Sequence, residues 1–112
     1  MSSFSEKGLL GELEQLVLLA VTHQEPGAYA VSIRDEIEAR TGIALRRGSV
    51  YVTLQRLERK GYLVSSWGPP TPERGGKAKR CFRLTPSGRR ALASAEHVLA
   101  RMRRPEPLRS SR

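Results

Sequence analysis

Cysteine is nearly absent from this chain. Cys81 stands alone among 112 residues, so no internal disulfide can form. With only two histidines beside it, no Cys/His set can build a zinc site. No apolar run approaches the ~18 residues that a membrane span requires. The N-terminus lacks the basic segment, apolar stretch and small-residue cleavage site of a secretory leader, so the expected location is the cytoplasm. A glycine-rich phosphate loop of the usual form, an arguable Ser/His/Asp set and a metal cluster are all missing. The chain therefore reads as a non-enzyme that needs no cofactor and no metal. Acidic residues are also scarce, 11 against 20 Lys and Arg, which leaves a formal charge of +9. On one small domain, that excess points to a polyanion, most often nucleic acid. The length suffices for a single domain with its own core.

The charge is unevenly placed. Residues 1–72 hold eight basic and eight acidic side chains and net to zero, while residues 73–112 hold twelve basic and three acidic. The whole excess thus lies in the last third, as expected of an electrostatic footprint on one face.

Hydropathy divides the chain into short elements. Leu9 to His23 has apolar residues at helical spacing, and its second half is apolar nearly all round. Such a helix is either central or meets a second chain. Gln24-Glu25-Pro26-Gly27 breaks it. Tyr29 to Arg40 is a second helix with Ala30, Ile33 and Ile37 inward, ended at Gly42. A third helix, about Arg47 to Lys60, has a narrow stripe of Val50, Leu54 and Leu57. Its remaining surface mixes cations with hydrogen-bonding side chains and holds one acid, Glu58. Tyr62 to Trp67 and Arg80 to Leu84 read as strands, joined by a Gly/Pro-rich loop ending in cations. Thr85 and Pro86 open a fourth helix as N-cap and first helical residue.

Three helices followed by a two-stranded hairpin make a mainly α plan with a small β-hairpin, the winged helix-turn-helix. In that plan the third helix enters the DNA major groove and the hairpin loop is the wing. The expected organisation is an arm at 1–8, the DNA-binding domain at 9–85, a dimerisation helix at 86–104 and a disordered basic tail at 105–112. The seam Leu92, Ala95, Leu99, Met102, together with Leu9, Leu10 and Leu13 of the first helix, is expected to meet a second copy.

The stretch Gly48-Ser-Val-Tyr-Val-Thr-Leu-Gln-Arg-Leu-Glu-Arg-Lys-Gly-Tyr-Leu-Val64 resembles the recognition helix of the PadR-type transcriptional regulators. Arg80-Cys-Phe-Arg-Leu-Thr-Pro-Ser-Gly88 resembles their second wing strand and the start of their last helix. Leu13 to Ala20 and Tyr29 to Ile33 fit their first two helices. The resemblance runs over about residues 9 to 100 and suits a compact branch with a short last helix. It implies a winged-helix homodimer that binds a pseudo-palindromic operator and usually represses transcription. It also implies a contact to DNA from Tyr51. Three positions depart from the pattern. Val52 follows Tyr51 where proline is frequent. Ala30 follows Tyr29 where glycine is frequent. Arg46 stands at the third helix's N-cap, where a small polar residue would be worth about 1 kcal/mol more.

Expected contacts to double-stranded DNA come from Arg46, Arg47, Ser49, Tyr51, Thr53, Arg56 and Lys60 around the third helix, and from Arg74, Lys77, Lys79 and Arg80 on the wing. Arginine is the commonest reader of guanine. Trp67 is expected to pack the base of the wing. Room for a small-molecule effector exists in principle, but residues 86–104 contain no aromatic apart from the imidazole of His97, so none is supported. The competing reading is a non-specific basic nucleic-acid-binding module, which a shaped helix carrying Ser, Thr, Gln and Arg argues against.

Overall fold

A computed structural model describes residues 9–68 and 79–106. The arm at 1–8, most of the wing loop with Arg74 and Lys77, and the end of the tail lie outside those residues. The elements are α1 (Glu12–His23), α2 (Ala30–Thr41), α3 (Arg47–Arg59), β1 (Leu63–Trp67), β2 (Arg80–Leu84) and α4 (Pro86–Arg103). The order is the one expected from hydropathy.

Helix α1 starts later than its apolar pattern, because Leu9 and Leu10 precede the cap at Gly11. Glu14, at the third helical position, turns back and accepts a hydrogen bond from the Gly11 N–H at 2.8 Å. That satisfies one of the donors a helix N-terminus leaves open. Val17, Leu18 and Val21 are completely buried. Helix α1 packs against α2, α3, β2 and α4 together, which makes it the central helix of the chain. Its C-terminal end is fastened to α2 by Gln24, which donates to the Ser32 carbonyl at 2.9 Å and to Glu36 Oε1 at 2.8 Å, while Ser32 Oγ donates to Gln24 Oε1.

The hairpin is antiparallel, with Leu63 opposite Leu84 and Trp67 opposite Arg80. A third extended segment completes it. Ala28 and Phe82 exchange both backbone hydrogen bonds, at 3.0 and 2.8 Å, so β2 is also paired at Phe82 on its second edge. The link between α1 and α2, read from sequence only as a break, therefore also holds the wing to the helices. That single bridge satisfies the Phe82 N–H and C=O on the second edge of the strand.

A corner of hydrogen bonds sets the direction of α4. Thr85 Oγ1 accepts from the Gly88 N–H at 2.9 Å and donates to the Gly61 carbonyl at 2.7 Å. Gly61 has φ +80°, a conformation suited to glycine. Gly88 lies so close to the backbone of Tyr62 that a Cβ there would overlap the Tyr62 carbonyl oxygen. The spacing of Thr85 and Gly88 thus records a close approach of helix to turn.

Leu92 and Ala95 are buried in the chain's own core, as is Leu10. Their assignment to a surface between two copies is corrected: α4 leans on α1, and the first half of its seam is used inside the chain. Leu99 and Met102, farther along α4, are exposed, as is Leu9. Leu13 is partly buried against the core.

Glu14 is also the one acid among the core residues, only 5% exposed. Its Oε2 accepts from Lys60 Nζ at 2.8 Å, tying α1 to the end of α3. Burial raises its pKa. The hydrogen bonds from Lys60 and the Gly11 N–H, with the charges of Lys60 and Arg56, outweigh that and hold it below the ordinary 4.5. A carboxylate depressed in the folded state stabilises the fold above its unfolded pKa. That contribution disappears as pH falls through the folded value. Glu14→Gln should therefore cost roughly 1–3 kcal/mol at neutral pH, the worth of hydrogen bonds to a charged group. Urea midpoints of the two proteins, compared from pH 7 to pH 3, should converge below about pH 4.5.

Candidate nucleic-acid interface

Helix α3 has one stripe in the core and leaves the rest of its surface open. The buried residues are Val50, Thr53, Leu54 and Leu57. At about 100° per residue, the stripe farthest from them is Gly48, Val52, Gln55 and Arg59. All four are exposed. Ser49 and Arg56 flank this stripe on the side of α1, and Arg47 and Tyr51 on the side of α2 and the wing; all are exposed. Arg46 caps the helix from outside with extended backbone and makes no side-chain cap bond.

Two residues expected on this face are not free to act there. Thr53 is 3% exposed, and its hydroxyl donates to the Ser49 carbonyl at 2.8 Å. It follows Val50 by three residues and precedes Leu57 by four, which places it inside the apolar stripe. Lys60 remains partly exposed but is held by Glu14, so its charge is largely matched. Conversely, Gln55 and Arg59 were left out of the expected contact set although they stand at the centre of the open stripe. Full helical arithmetic from the Val50, Leu54, Leu57 stripe would have found them.

Beside α3 lies a cleft of about 490 Å³ between the start of α2, the start of α3 and the base of the wing. Tyr29, Tyr51 and Trp67 are its aromatic walls, and Arg34, Arg47, Lys79 and Arg80 bring cations to it against the single acid Asp35. Lys79 Nζ stands 4.8 Å from the centre of the Tyr29 ring, and the Arg80 guanidinium 5.7 Å from that of Trp67. These are cation–π distances. Arg80 is also anchored: Nε donates to Ser65 Oγ at 3.0 Å and Nη2 lies 3.6 Å from Glu58 Oε2. Ser65 Oγ in turn donates to Glu58, so wing and α3 are joined through one carboxylate.

Trp67 was expected to pack the wing base, and it does not. It is 69% exposed, the largest uncovered aromatic surface among the described residues. It lies on the same strand face as the buried Leu63 but at the other end of β1, opposite Arg80. Among the described residues, no group of three His, Cys, Asp or Glu side chains could hold a metal ion, and no helix is long and apolar enough to cross a membrane.

The cleft and the open stripe form one continuous surface of cations, amide and hydroxyl donors, and flat rings. Such a surface suits phosphates at its edge and base edges at its centre.

Comparison with known proteins agrees with the geometry. The model of the transcriptional regulator PadR-like family matches residues 17–94. A transcriptional regulator of Mycobacterium tuberculosis is 38% identical over 66 residues, a match covering 59% of this chain and 58% of that protein's length. The crystal structure of a PadR family transcriptional regulator from Eggerthella lenta is similar at 30% identity and a TM-score of 0.62, over 81% of each chain. A PadR family regulator from Clostridium difficile, 20% identical, shares the fold with a TM-score of 0.69 over 82% of this chain and 91% of that one.

The differing states of the basic residues lead to a contrast. Arg59→Ala and Lys79→Ala remove exposed or edge cations, so each should weaken binding of duplex DNA and lower the salt slope by about one unit. Lys60→Ala should change DNA affinity less than about threefold but lower the melting temperature, because it strands the Glu14 carboxylate. Titrating the three variants with one duplex at several salt concentrations, and melting each, checks this.

Proposed function

The chain belongs to the transcriptional regulator PadR-like family, and from that premise we propose that it is a cytoplasmic repressor that grips a pseudo-palindromic operator as a homodimer. Helix α3 lies in the major groove, and the wing lies along the backbone or the minor groove. The observation that carries this reading is the uncovered α3 stripe of Gly48, Val52, Gln55 and Arg59, bordered by cations on both sides. A rigid helix can hold a donor against one base edge, which is what sequence discrimination requires. Arg47, Tyr51, Lys79 and Arg80 take phosphates along the cleft and fix the register. Arg46, Ser49 and Arg56 reach the neighbouring backbone or bases, and the wing cations Arg74 and Lys77 extend the backbone contact.

A specific repressor keeps its site when unrelated DNA is in excess, whereas a basic module without specificity loses it. Footprinting on the DNA upstream of its own gene, with and without a large excess of unrelated duplex, separates the two. Two copies carry a formal 2 × 9 = +18. With about 6–10 phosphates neutralised, affinity should fall roughly 10³–10⁵-fold between 50 and 200 mM salt. A protected region that vanishes under competitor, or a flat salt response, would overturn the proposal.

The dimer is proposed to form through the far half of α4, where Leu99 and Met102 are exposed, and the start of the chain near Leu9. Leu99 and Met102, 40% and 80% exposed, leave apolar surface at the end of α4 for a second copy to cover. Two copies related by a two-fold axis can meet half-sites ~34 Å apart, or a multiple of that. Sedimentation at micromolar concentration should give a dimer, and the double variant Leu99→Glu, Met102→Glu should sediment as a folded monomer.

A further inference from the structure

We propose that Val52 reads the 5-methyl group of a thymine, so that each half-site of the operator requires T·A at the pair it faces. This rests on the placement of α3 in the major groove argued above. Val52 is 50% exposed at the centre of the open stripe. Around it stand Ser49, Tyr51, Gln55, Arg56 and Arg59, all exposed and all able to form hydrogen bonds. Valine is a weaker helix former than most alternatives, so local folding does not favour it at an exposed helical site. Nor does the core, which it does not touch.

The surroundings of Val52 complete a small apolar seat. A helical side chain leans toward the turn before it, so the isopropyl group covers the direction of residue 48. That residue is Gly48, and a Cβ built there would meet nothing within 4 Å. Gly48 adds no side chain, so the isopropyl group of Val52 is the side-chain surface that these two positions present. Valine is also stiff at χ1, with one strongly preferred rotamer in a helix, so little freedom is lost when a group docks on it.

The major groove offers this seat one matching group. Adenine, guanine and cytosine present hydrogen-bonding atoms there, and thymine alone among the four bases adds a methyl. Against any other base edge, Val52 would strip water from donors or acceptors and return no hydrogen bond. The residue thus selects both by attraction to the methyl and by exclusion of the other edges.

The test uses duplexes enriched by the protein from a random-sequence pool. Each thymine of the enriched site is replaced in turn by deoxyuridine, which removes only the methyl. One thymine per half-site should weaken binding about fourfold, the worth of one buried carbon. The same replacement should have a clearly smaller effect on Val52→Ala, whose one methyl falls short of the base, and should keep its full effect on Arg59→Ala, with melting curves confirming that both variants fold. A site in which no thymine is sensitive, or a sensitivity that survives undiminished in Val52→Ala, overturns the assignment while leaving operator binding intact. A pool from which no sequence is enriched overturns operator binding itself, and this inference with it.

Discussion

The arrangement depends on how much of each helix the core can accept. Helix α1 is enclosed by α2, α3, β2 and α4, and its Val17, Leu18 and Val21 are wholly buried. That enclosure leaves room for only one stripe of α3, the one carrying Val50, Leu54 and Leu57. Apart from Thr53, which is buried in the same stripe, α3 is turned outward, and composition does the rest: the outward residues are polar or charged except Gly48 and Val52. A wider apolar face would have drawn α3 deeper and removed the open surface. The open face is thus the complement of the packing, and the two cannot be changed independently.

Ion pairs then fix how rigidly that face is held. Glu14 and Lys60 join α1 to the end of α3 at 2.8 Å, with the acid desolvated and doubly hydrogen-bonded. Glu58, Ser65 and Arg80 join the outer side of α3 to the wing. Only the first pair is buried enough to matter much for stability, since exposed pairs contribute little. The second is positional: it keeps the wing base, and with it Lys79 and Trp67, beside the start of α3. The turn built by Gly61, Thr85 and Gly88 sends α4 across α1, so that the end of α4 leaves the core with Leu99 and Met102 exposed.

Parts of the candidate site were legible in the sequence, and parts were not. The third helix and the exposure of Arg47, Tyr51 and Arg56 were legible, because a narrow apolar stripe within a basic helix is a local pattern, although Arg59 on the same helix was left out. Thr53 was misplaced because hydroxyl chemistry was weighed above its spacing from Val50 and Leu57. Lys60 was misplaced for another reason: its partner is 46 positions away in the chain, and nothing local announces a buried acid at Glu14. Leu92 and Ala95 have the same periodicity as Leu99 and Met102, and only the path of α1 divides the seam into core and surface. Trp67 shares a strand face with the buried Leu63, and only the tertiary structure shows that burial has ended by the far end of β1.

The sequence by itself determined the order and kind of the elements, the place of the caps and breaks, and the sign and location of the charge. Those are properties of neighbouring residues: periodicity, a threonine before proline, glycine where the chain turns, arginines gathered in the last third. It also carried the family likeness, which is a pattern in chain order. The tertiary structure alone decided which of the available cations are matched and which stay open. It alone joined Ala28 to Phe82 and opened the cleft between α2, α3 and the wing. The reason is physical: burial and charge pairing depend on distances between residues far apart in the chain, and those distances exist only once α1 has been enclosed.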